Sequence, residues 1–119
     1  MKDPEKAISK TISVDLPNDF SKFPMGRTDE DGPDNGRRFF NDFLRPNIAQ
    51  GIHVIIFFDG ARAIGSSFLD EAFGALKRDL RLSTKEVMQA ITIVAKTPAY
   101  AFYKEMAEQF ISEAKAIKG

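Results

Sequence analysis

The residues best suited to chemistry lie in one segment, 57–76, with the sequence FFDGARAIGSSFLDEAFGAL. An apolar run ends in this segment and an amphipathic stretch begins in it, which predicts a link between a strand and a helix. In open α/β sheets, ligands and partners usually bind at the carboxyl ends of the strands. The link would display Asp59 and the turn Gly65, Ser66 and Ser67 there, so it is the leading candidate for a functional site.

The two serines at the start of the predicted helix allow two interpretations. Ser67 can be the N-cap, with Asp70 three residues later as its capping-box partner, and this structural role is the commoner one. Alternatively, a phosphate on Ser66 would meet free backbone N–H groups and the positive end of the helix dipole. Asp70 and Glu71, one turn into the helix, would oppose that phosphate. Capping and modification are compatible with each other.

Three carboxylates near the serines, those of Asp59, Asp70 and Glu71, suggest acid-base or metal chemistry. However, Asp59 ends a strand, whereas Asp70 and Glu71 are adjacent on a helix and project about 100° apart. We do not expect the three groups to converge, and we expect a protein that is not an enzyme. His53, the single histidine, begins the central strand at the end opposite Ser66, so a Ser-His-Asp triad is not expected either.

Residues 28–36, TDEDGPDNG, predict an exposed acidic loop, because these residue types favour turns. A calcium site is one interpretation of its acidic residues, which are Asp29, Glu30, Asp31 and Asp34. The spacing and the terminal glutamate of an EF-hand loop are missing, so we expect no metal ion, and without nucleotide-binding glycine motifs we expect no cofactor. Arg27, beside the loop, is placed to pair with an acidic group or a phosphate of a partner.

Hydrophobic periodicity predicts the elements that position this link. Strands are expected at 7–14 and 90–95, and the continuous apolar run at 52–58 indicates a central strand covered on both faces. Amphipathic helices are expected at 39–48, at 68–80 and from Pro98 to about Ile117, and Pro46 should end or bend the first of them. This order favours right-handed crossovers and a mostly parallel inner sheet, which makes the fold class α/β.

The phenylalanines are mostly explained by core packing. The predicted inner stripe of the last helix consists of Ala99, Phe102, Met106, Phe110, Ala114 and Ile117. Phe20 and Phe23 fit no stripe, so they either cover the sheet edge or belong to a contact surface.

The overall composition favours proteins or small molecules as partners. Of the 119 residues, 17 are Lys or Arg and 17 are Asp or Glu, so no net field attracts nucleic acid or an anionic membrane. Cysteine is absent, which excludes disulfides and sulfur-ligated metals and makes the cytoplasm the default location. The charged N-terminus lacks the apolar core of a signal peptide, and no apolar run is long enough to span a bilayer. We expect one domain, 1–119.

Two motifs resemble the STAS-like domain family. The first is a strand followed by Asp59, Gly60, a short loop and then SSFLDEAFG; the second is Gly26 and Arg27, an acidic loop, Gly36 and a helix containing two phenylalanines and the sequence LRP. Together they cover 26–76. The resemblance implies a mixed sheet of four to five strands with about three flanking helices, and a regulatory protein-interaction module whose partner is a histidine-kinase-type ATPase domain.

In the related anti-sigma-factor antagonists, a serine at the start of the matching helix is phosphorylated. By position the resemblance assigns this role to Ser66 ahead of Ser67. The antagonists' Asp-Ser-Ser-Gly pattern is not kept, because Gly65 replaces the aspartate and Phe68 the glycine, so a kinase that reads those positions would meet a different sequence. The expected partner-binding residues are Arg27, Asp59, Gly65, Ser66, Ser67, Asp70 and Glu71.

Two alternative functions remain. A small-ligand-binding or enzymatic domain would use Asp59, Ser66, Asp70 and Glu71, and it predicts a concave pocket with convergent polar groups beside Ser66, whereas a protein-binding surface should be flatter and partly apolar. A structural or self-associating domain would instead use an uncovered edge strand or the last helix.

Overall fold

The computed structural model describes residues 10–115. Three strands lie in this part of the chain, β1 (Thr11–Asp15), β2 (His53–Phe57) and β3 (Ile91–Val94). The helices are α1 over 36–49, α2 (Ser66–Arg78), α3 (Thr84–Ala90) and α4 (Pro98–Glu113). Two short turns complete the described structure, a π-helical turn at Leu16–Phe20 and a 3₁₀ turn at Asp29–Asp31.

The three strands form one parallel sheet in the order β1, β2, β3. The α/β class is therefore confirmed, but the prediction of a mixed sheet with four to five strands is wrong for residues 10–115. The region after β1 supplies no further strand, because Leu16–Phe20 coils into a π-helical turn with Pro17, which has no N–H to donate to a sheet, near its start. The first predicted strand began at residue 7, and residues 7–9 lie outside the described range.

Only one face of the sheet is fully covered by the described residues. Val14, Ile56 and Ile93 are buried on that face. On the opposite face Ser13 and Thr92 are exposed, and Ile55 between them is only half-buried. The prediction that β2 is covered on both faces is therefore wrong for this part of the chain. Ile55 lies in the central strand, where the neighbouring strands partly shield its side chain from solvent, and this accounts for an apolar residue on this face.

Helix α1 packs closely against α2. It consists of Gly36–Phe39, a π-helical turn at Phe40–Leu44 and Arg45–Ala49. Thus the helix does not end at Pro46; instead it widens by one turn just before the proline, which cannot donate a backbone hydrogen bond. At the start of α1, a Cβ on Gly36 would lie 2.6 Å from the Phe68 carbonyl oxygen and 2.9 Å from the Ala72 nitrogen. Glycine therefore sets the distance between the two helices.

An aromatic cluster fills the space between α1, α2 and the first π-helical turn. Phe39 lies at its centre, with ring centroids 5.2 Å from Phe20, 5.2 Å from Phe43 and 5.7 Å from Phe68. Phe39 and Phe68 are fully buried. The predicted apolar stripe of α2 is confirmed, since its buried residues include Phe68, Leu69, Ala72, Phe73 and Leu76.

Helix α3 was not predicted, although its start has a clear signature. Ser83 accepts a hydrogen bond from the Glu86 backbone N–H, and the Glu86 carboxylate accepts one from the Ser83 backbone N–H, which is a capping box. Ala90, which was assigned to the last strand, ends this helix, and β3 begins at Ile91.

The predicted inner stripe of α4 is displaced around the helix. Ala107 and Ile111 are its buried residues, and the predicted Met106 and Phe110 are half-buried against the core, whereas Ala99 is exposed and Phe102 is 58% exposed. Of the last two predicted members, Ala114 follows the end of the helix and Ile117 lies outside the described residues. The Tyr100 hydroxyl reaches inward and donates a hydrogen bond to the Ala61 carbonyl oxygen at 2.5 Å. The stripe was misplaced because apolar residues cover a wider arc of α4 than its neighbours α2 and β3 contact. No helix among residues 10–115 combines the length and the apolar character needed to cross a membrane.

Candidate interaction site at the start of helix α2

The start of α2 lies beside an open depression of about 490 Å³, which we call the α2 depression. Its lining consists of Met25, Gly26, Arg27, Asp31, Gly65, Ser66 and Ser67. The structure thus brings four of the predicted site residues together, Arg27 from one side and the Gly65, Ser66 and Ser67 turn from the other. Asp59, Asp70 and Glu71 are not part of this lining.

Backbone hydrogen bonds join the two sides of the depression. The N–H of Gly65 donates to the carbonyl oxygen of Pro24 at 2.9 Å, and that of Arg62 donates to Lys22 at 2.7 Å. From the opposite direction, the N–H of Arg37 donates to the Arg27 carbonyl oxygen at 2.9 Å. Segment 22–27 is therefore held between the β2–α2 link and the start of α1.

Neither serine caps α2. The N-cap is Gly65, in an extended conformation, and no side chain caps this end. Helix α2 begins at Ser66, two residues earlier than it would with Ser67 as its N-cap, so the prediction of Ser67 as N-cap with Asp70 as its partner is wrong. Ser66 is exposed and Ser67 half-buried. The hydroxyl of Ser66 is thus presented at a helix N-terminus whose first N–H groups have no side-chain partner.

The carboxylates of α2 are held by arginines. Arg27 Nη1 lies 2.8 Å from Asp70 Oδ2, and Arg78 Nη1 lies 3.2 Å from Asp70 Oδ1. Arg37 pairs with Glu71 through Nη2 at 2.5 Å and with Asp79 through Nη1 at 2.5 Å. Three carboxylates are matched by three guanidinium groups, so Asp70 and Glu71 oppose a phosphate on Ser66 much less than their sequence positions suggested.

The pKa of Arg37 reflects both its partial burial and its two carboxylate partners. Partial burial lowers the pKa of Arg37, but the hydrogen-bonded carboxylates of Asp79 and Glu71 more than offset this and raise it above its ordinary value. The Arg37 guanidinium also lies over the Phe40 ring, 5.3 Å from its centroid. Arg37 therefore joins the charged side of α2 to α1.

Asp59 has a different role from the one that its sequence position suggested. Its Oδ1 accepts a hydrogen bond from the Lys96 backbone N–H at 2.8 Å, and its Oδ2 lies 3.4 Å from the Thr97 hydroxyl. These contacts connect the end of β2 to the link between β3 and α4. Asp70 and Glu71 share Arg27, whose Nη1 lies 2.8 Å from Asp70 Oδ2 and 4.0 Å from Glu71 Oε1, whereas Asp59 has partners of its own, so the three carboxylates do not form one cluster.

The predicted acidic loop is exposed, but its backbone is well organised. Asp31 Oδ2 accepts hydrogen bonds from the backbone N–H groups of Arg27 at 2.9 Å and Thr28 at 3.3 Å. The first of these bonds, then the second, lowers the pKa of Asp31 below its ordinary value of 3.8. Asn35 is buried and bonds Asp29, Gly32 and the backbone of Arg38. Between residues 10 and 115, no group of three or more His, Cys, Asp or Glu side chains is placed to hold a metal ion.

His53 lies at the amino end of β2, whereas Ser66 follows the carboxyl end of that strand. Its Nδ1 is 2.9 Å from the Gln89 carbonyl oxygen and its Nε2 is 2.7 Å from Thr92 Oγ1. Both ring nitrogens are therefore used to connect β2 with α3 and β3.

Two residues that the sequence did not place at the site, Phe23 and Met25, are exposed, and Met25 lines the depression. Phe20 packs into the aromatic cluster, whereas Phe23 does not, which separates the two phenylalanines that fitted no stripe. The sequence did contain a sign of this exposure, because Phe23 fits no amphipathic pattern.

Comparison with known proteins agrees with the class that the fold defines. The described residues form an α/β domain with a parallel sheet and a serine turn after its central strand. A family model described as a STAS-like domain of unknown function (DUF4325) matches residues 35–100, which is more than half of the chain. The chain belongs to this family. No curated protein matches it, and no solved structure does. The matched region includes Ser66 but not Arg27.

Proposed function

We propose that this protein is a regulatory protein-interaction module that binds a protein partner through the surface around the α2 depression, and that phosphorylation of Ser66 controls the binding. The observation that carries the proposal is the exposed Ser66 hydroxyl at the first residue of α2, where it caps nothing. Because the Ser66 side chain does not cap α2, phosphorylation of Ser66 would not remove a helix cap.

The electrostatics of α2 support the same proposal. A phosphate on Ser66 would lie at the positive end of the helix dipole, near N–H groups that no side chain caps. Arg27, whose side chain is 46% exposed, lines the same depression. The carboxylate of Asp70 is already paired with Arg27 and Arg78. The modified serine is therefore electrostatically acceptable to the folded protein.

The partner that we propose is a histidine-kinase-type ATPase domain. Support for this comes from the resemblance to the anti-sigma-factor antagonists, because the chain has a serine at the matching position at the start of the matching helix. Membership of a family of unknown function leaves the partner as part of the proposal.

The test is affinity purification from the native host with the wild type, Ser66→Ala and Ser66→Asp. Ser112→Asp is the matched control, because Ser112 is also exposed on a helix but belongs to α4. We expect Ser66→Asp to lose a partner that the other three forms retain, and mass spectrometry to find phosphate on wild-type Ser66. Equal recovery with all four forms, together with an unmodified Ser66, would refute the switch.

One observation favours a second candidate, the binding of a small anionic ligand. Arg27 and both serines line the open α2 depression and can donate hydrogen bonds to an anion, with the Asp31 carboxylate in the same lining acting against it. None of the three carboxylates of Asp59, Asp70 and Glu71 lines the depression, so this candidate is a binding site without a carboxylate cluster. Isothermal calorimetry with inorganic phosphate, comparing the wild type with Arg27→Ala, tests this candidate directly.

A further inference from the structure

Arg27 lines the α2 depression and also pairs with a carboxylate of α2. Its Nη1 donates one hydrogen bond, 2.8 Å long, to Asp70 Oδ2, and the same nitrogen lies 4.0 Å from Glu71 Oε1. The Arg27 side chain is 46% exposed. A partly exposed ion pair with a single hydrogen bond is weak, so Arg27 can leave Asp70 at little cost in free energy.

The carboxylates that Arg27 contacts keep a cation when Arg27 moves away. Asp70 also pairs with Arg78, whose Nη1 lies 3.2 Å from Asp70 Oδ1 and whose Nη2 donates to the Asp70 carbonyl oxygen at 2.8 Å. Glu71 accepts two hydrogen bonds from Arg37, one from Nε at 3.0 Å and one from Nη2 at 2.5 Å. Arg27 is therefore the exchangeable member of this network.

The Arg27 side chain can change partners while its backbone stays in place. The Arg27 N–H donates to Asp31 Oδ2 at 2.9 Å, and the Arg27 carbonyl oxygen accepts from the Arg37 N–H at 2.9 Å. One residue earlier, the Gly26 carbonyl oxygen accepts from the Gly36 N–H at 2.9 Å. A change of partner by Arg27 therefore requires only rotation about side-chain bonds, which is fast for exposed residues.

Ser66 lies within reach of the Arg27 guanidinium. Ser66 and Asp70 are four residues apart in α2, and side chains at this spacing share one face of a helix, with Cβ atoms about 5–6 Å apart. The guanidinium that contacts Asp70 is therefore about one helical turn from the Ser66 side chain. A phosphate on Ser66 would carry more negative charge than the Asp70 carboxylate, and it offers oxygens for two parallel hydrogen bonds from one guanidinium.

One charge in the depression opposes such a phosphate. Asp31 belongs to the same lining, and its carboxylate accepts two backbone N–H groups but forms no ion pair with the described residues. The charged side chains of the lining are thus one cation, Arg27, and one anion, Asp31. Arg27 is therefore the side chain of this lining that can offset Asp31 beside a phosphate.

We propose that a phosphate on Ser66 takes Arg27 from Asp70, and that Arg27 then bridges the α2 depression from segment 22–27 to the start of α2. This inference rests on the proposed function and deepens it, because it states how the modification acts on the site. In the unmodified protein Arg27 is held on Asp70 and the depression is open. In the phosphorylated protein the pair of Arg27 and phosphate closes it, so a partner that binds there is excluded.

The direct test uses the full chain with phosphoserine incorporated at position 66, so that it does not depend on a host kinase. A phosphorus NMR titration measures the second pKa of the phosphate, which is about 6 without a partner. A bound guanidinium favours the dianion and lowers this pKa. We expect the acid dissociation constant to be at least about threefold larger with Arg27 than in Arg27→Gln.

Arg62→Gln is the matched control for that titration. Arg62 is exposed in the link before α2, but it does not line the depression, so its substitution should leave the phosphate pKa unchanged. Arg27→Lys keeps the positive charge and should retain part of the effect, which a protein that fails to fold would not. Equal phosphate pKa values with Arg27 and in Arg27→Gln would overturn the exchange.

A double-mutant cycle shows whether Arg27 actually leaves Asp70. Asp70→Asn removes the carboxylate that competes for Arg27, so it should lower the phosphate pKa more when Arg27 is present than in the Arg27→Gln background. Equal effects of Asp70→Asn in the two backgrounds would mean that the phosphate does not take Arg27 from Asp70, and would overturn the proposal.

The exchange and the switch fail in distinguishable ways. An unmodified Ser66 and unchanged partner recovery in the native host, together with a phosphate pKa that depends on Arg27, would refute the switch and leave the contact between phosphate and Arg27 as a property of the chain. Loss of the partner by Ser66→Asp, together with a phosphate pKa that does not depend on Arg27, would keep the switch and refute the exchange.

Discussion

Phe20 and Phe23 are three residues apart and occupy opposite environments. Phe20 packs edge-on against Phe39 and Phe43 in the aromatic cluster, whereas Phe23 is 54% exposed. The first environment connects three elements of the core, and the second presents an apolar side chain on a fixed backbone. The comparison teaches that residue type alone does not decide between core and surface here, because two phenylalanines three residues apart have opposite environments.

The largest expected effect on stability comes from a substitution in the aromatic cluster. Phe39→Ala removes the ring at the centre of the cluster, which is fully buried and contacts four other phenylalanines. We expect a loss of about 3–5 kcal/mol in the free energy of unfolding, measured by urea denaturation. Phe39→Leu, which retains most of the volume, should cost clearly less. A loss below about 1 kcal/mol for the alanine variant would contradict the central place of Phe39.

The next effect tests how closely α1 and α2 approach. In Gly36→Ala the new Cβ would overlap backbone atoms of Phe68 and Ala72, which cannot move aside, so we expect about 1–3 kcal/mol of destabilisation. Gly74→Ala is the control, because its Cβ would meet the end of the Arg78 side chain, which can move, rather than backbone atoms. That variant should cost less than Gly36→Ala, since alanine favours a helix interior and offsets part of the loss of the contacts between Arg78 and Asp70. Thermal unfolding that ranks the two variants equally would contradict the close approach.

Arg37 connects the charged side of α2 to Phe40 of α1, and its substitution by alanine should have an intermediate effect on stability. Arg37→Ala leaves the half-buried Glu71 carboxylate without its main cation, so we expect about 1 kcal/mol of destabilisation, discounted for the partial exposure of the network. Arg38→Ala is the control, because Arg38 is exposed and lies 3.9 Å from Asp29. Urea denaturation of both variants gives the comparison, and equal losses would argue against the network.

On the exposed side, Phe23→Ala should hardly change stability. About half of the side chain is in solvent already, so we expect a change of less than about 0.5 kcal/mol in the free energy of unfolding. A cost above about 2 kcal/mol would mean that Phe23 belongs to the core and would remove the contrast with Phe20.

The smallest effect concerns the pH dependence of the acidic loop. The pKa of Asp31 is lowered in the folded protein, so its contribution to stability is present above its ordinary value of 3.8 and is lost as the pH falls through the lower folded value. We expect the amide NMR signals of Arg27 and Thr28 to move together below about pH 4, because both N–H groups donate to this carboxylate. Asp31→Asn should abolish that movement, and its persistence in the variant would assign the titration to another group.

Much of the fold was predictable because it depends on local patterns. The apolar run of β2, the stripe of α2 that includes Phe68 and Phe73, and the helix at 39–48 follow from side-chain periodicity, which a single sequence displays directly. Helix α3 was equally predictable from its capping box, and it was missed because its apolar pattern is short. The stripe of α4 was not predictable, since its apolar arc is wider than the surface that its neighbours cover.

The candidate site was predictable in position but not in its contacts. The sequence predicted the turn at Ser66 and, separately, Arg27 as site residues, and both line the depression. It did not show that Gly65, rather than Ser67, is the N-cap, because a shift of two residues in a helix start depends on how the preceding link is held by Pro24. Nor did it show that Asp70 is paired with Arg27, 43 residues away.

The sequence by itself determined the class of fold, the link that carries the candidate site and the family to which the chain belongs, because these depend on residue order and on periodicities within single elements. Only the tertiary structure decided which carboxylates are neutralised, which serine is free and which phenylalanine is exposed. Those outcomes depend on distances between residues far apart in the chain, where packing and backbone hydrogen bonds fix geometry that no local pattern contains.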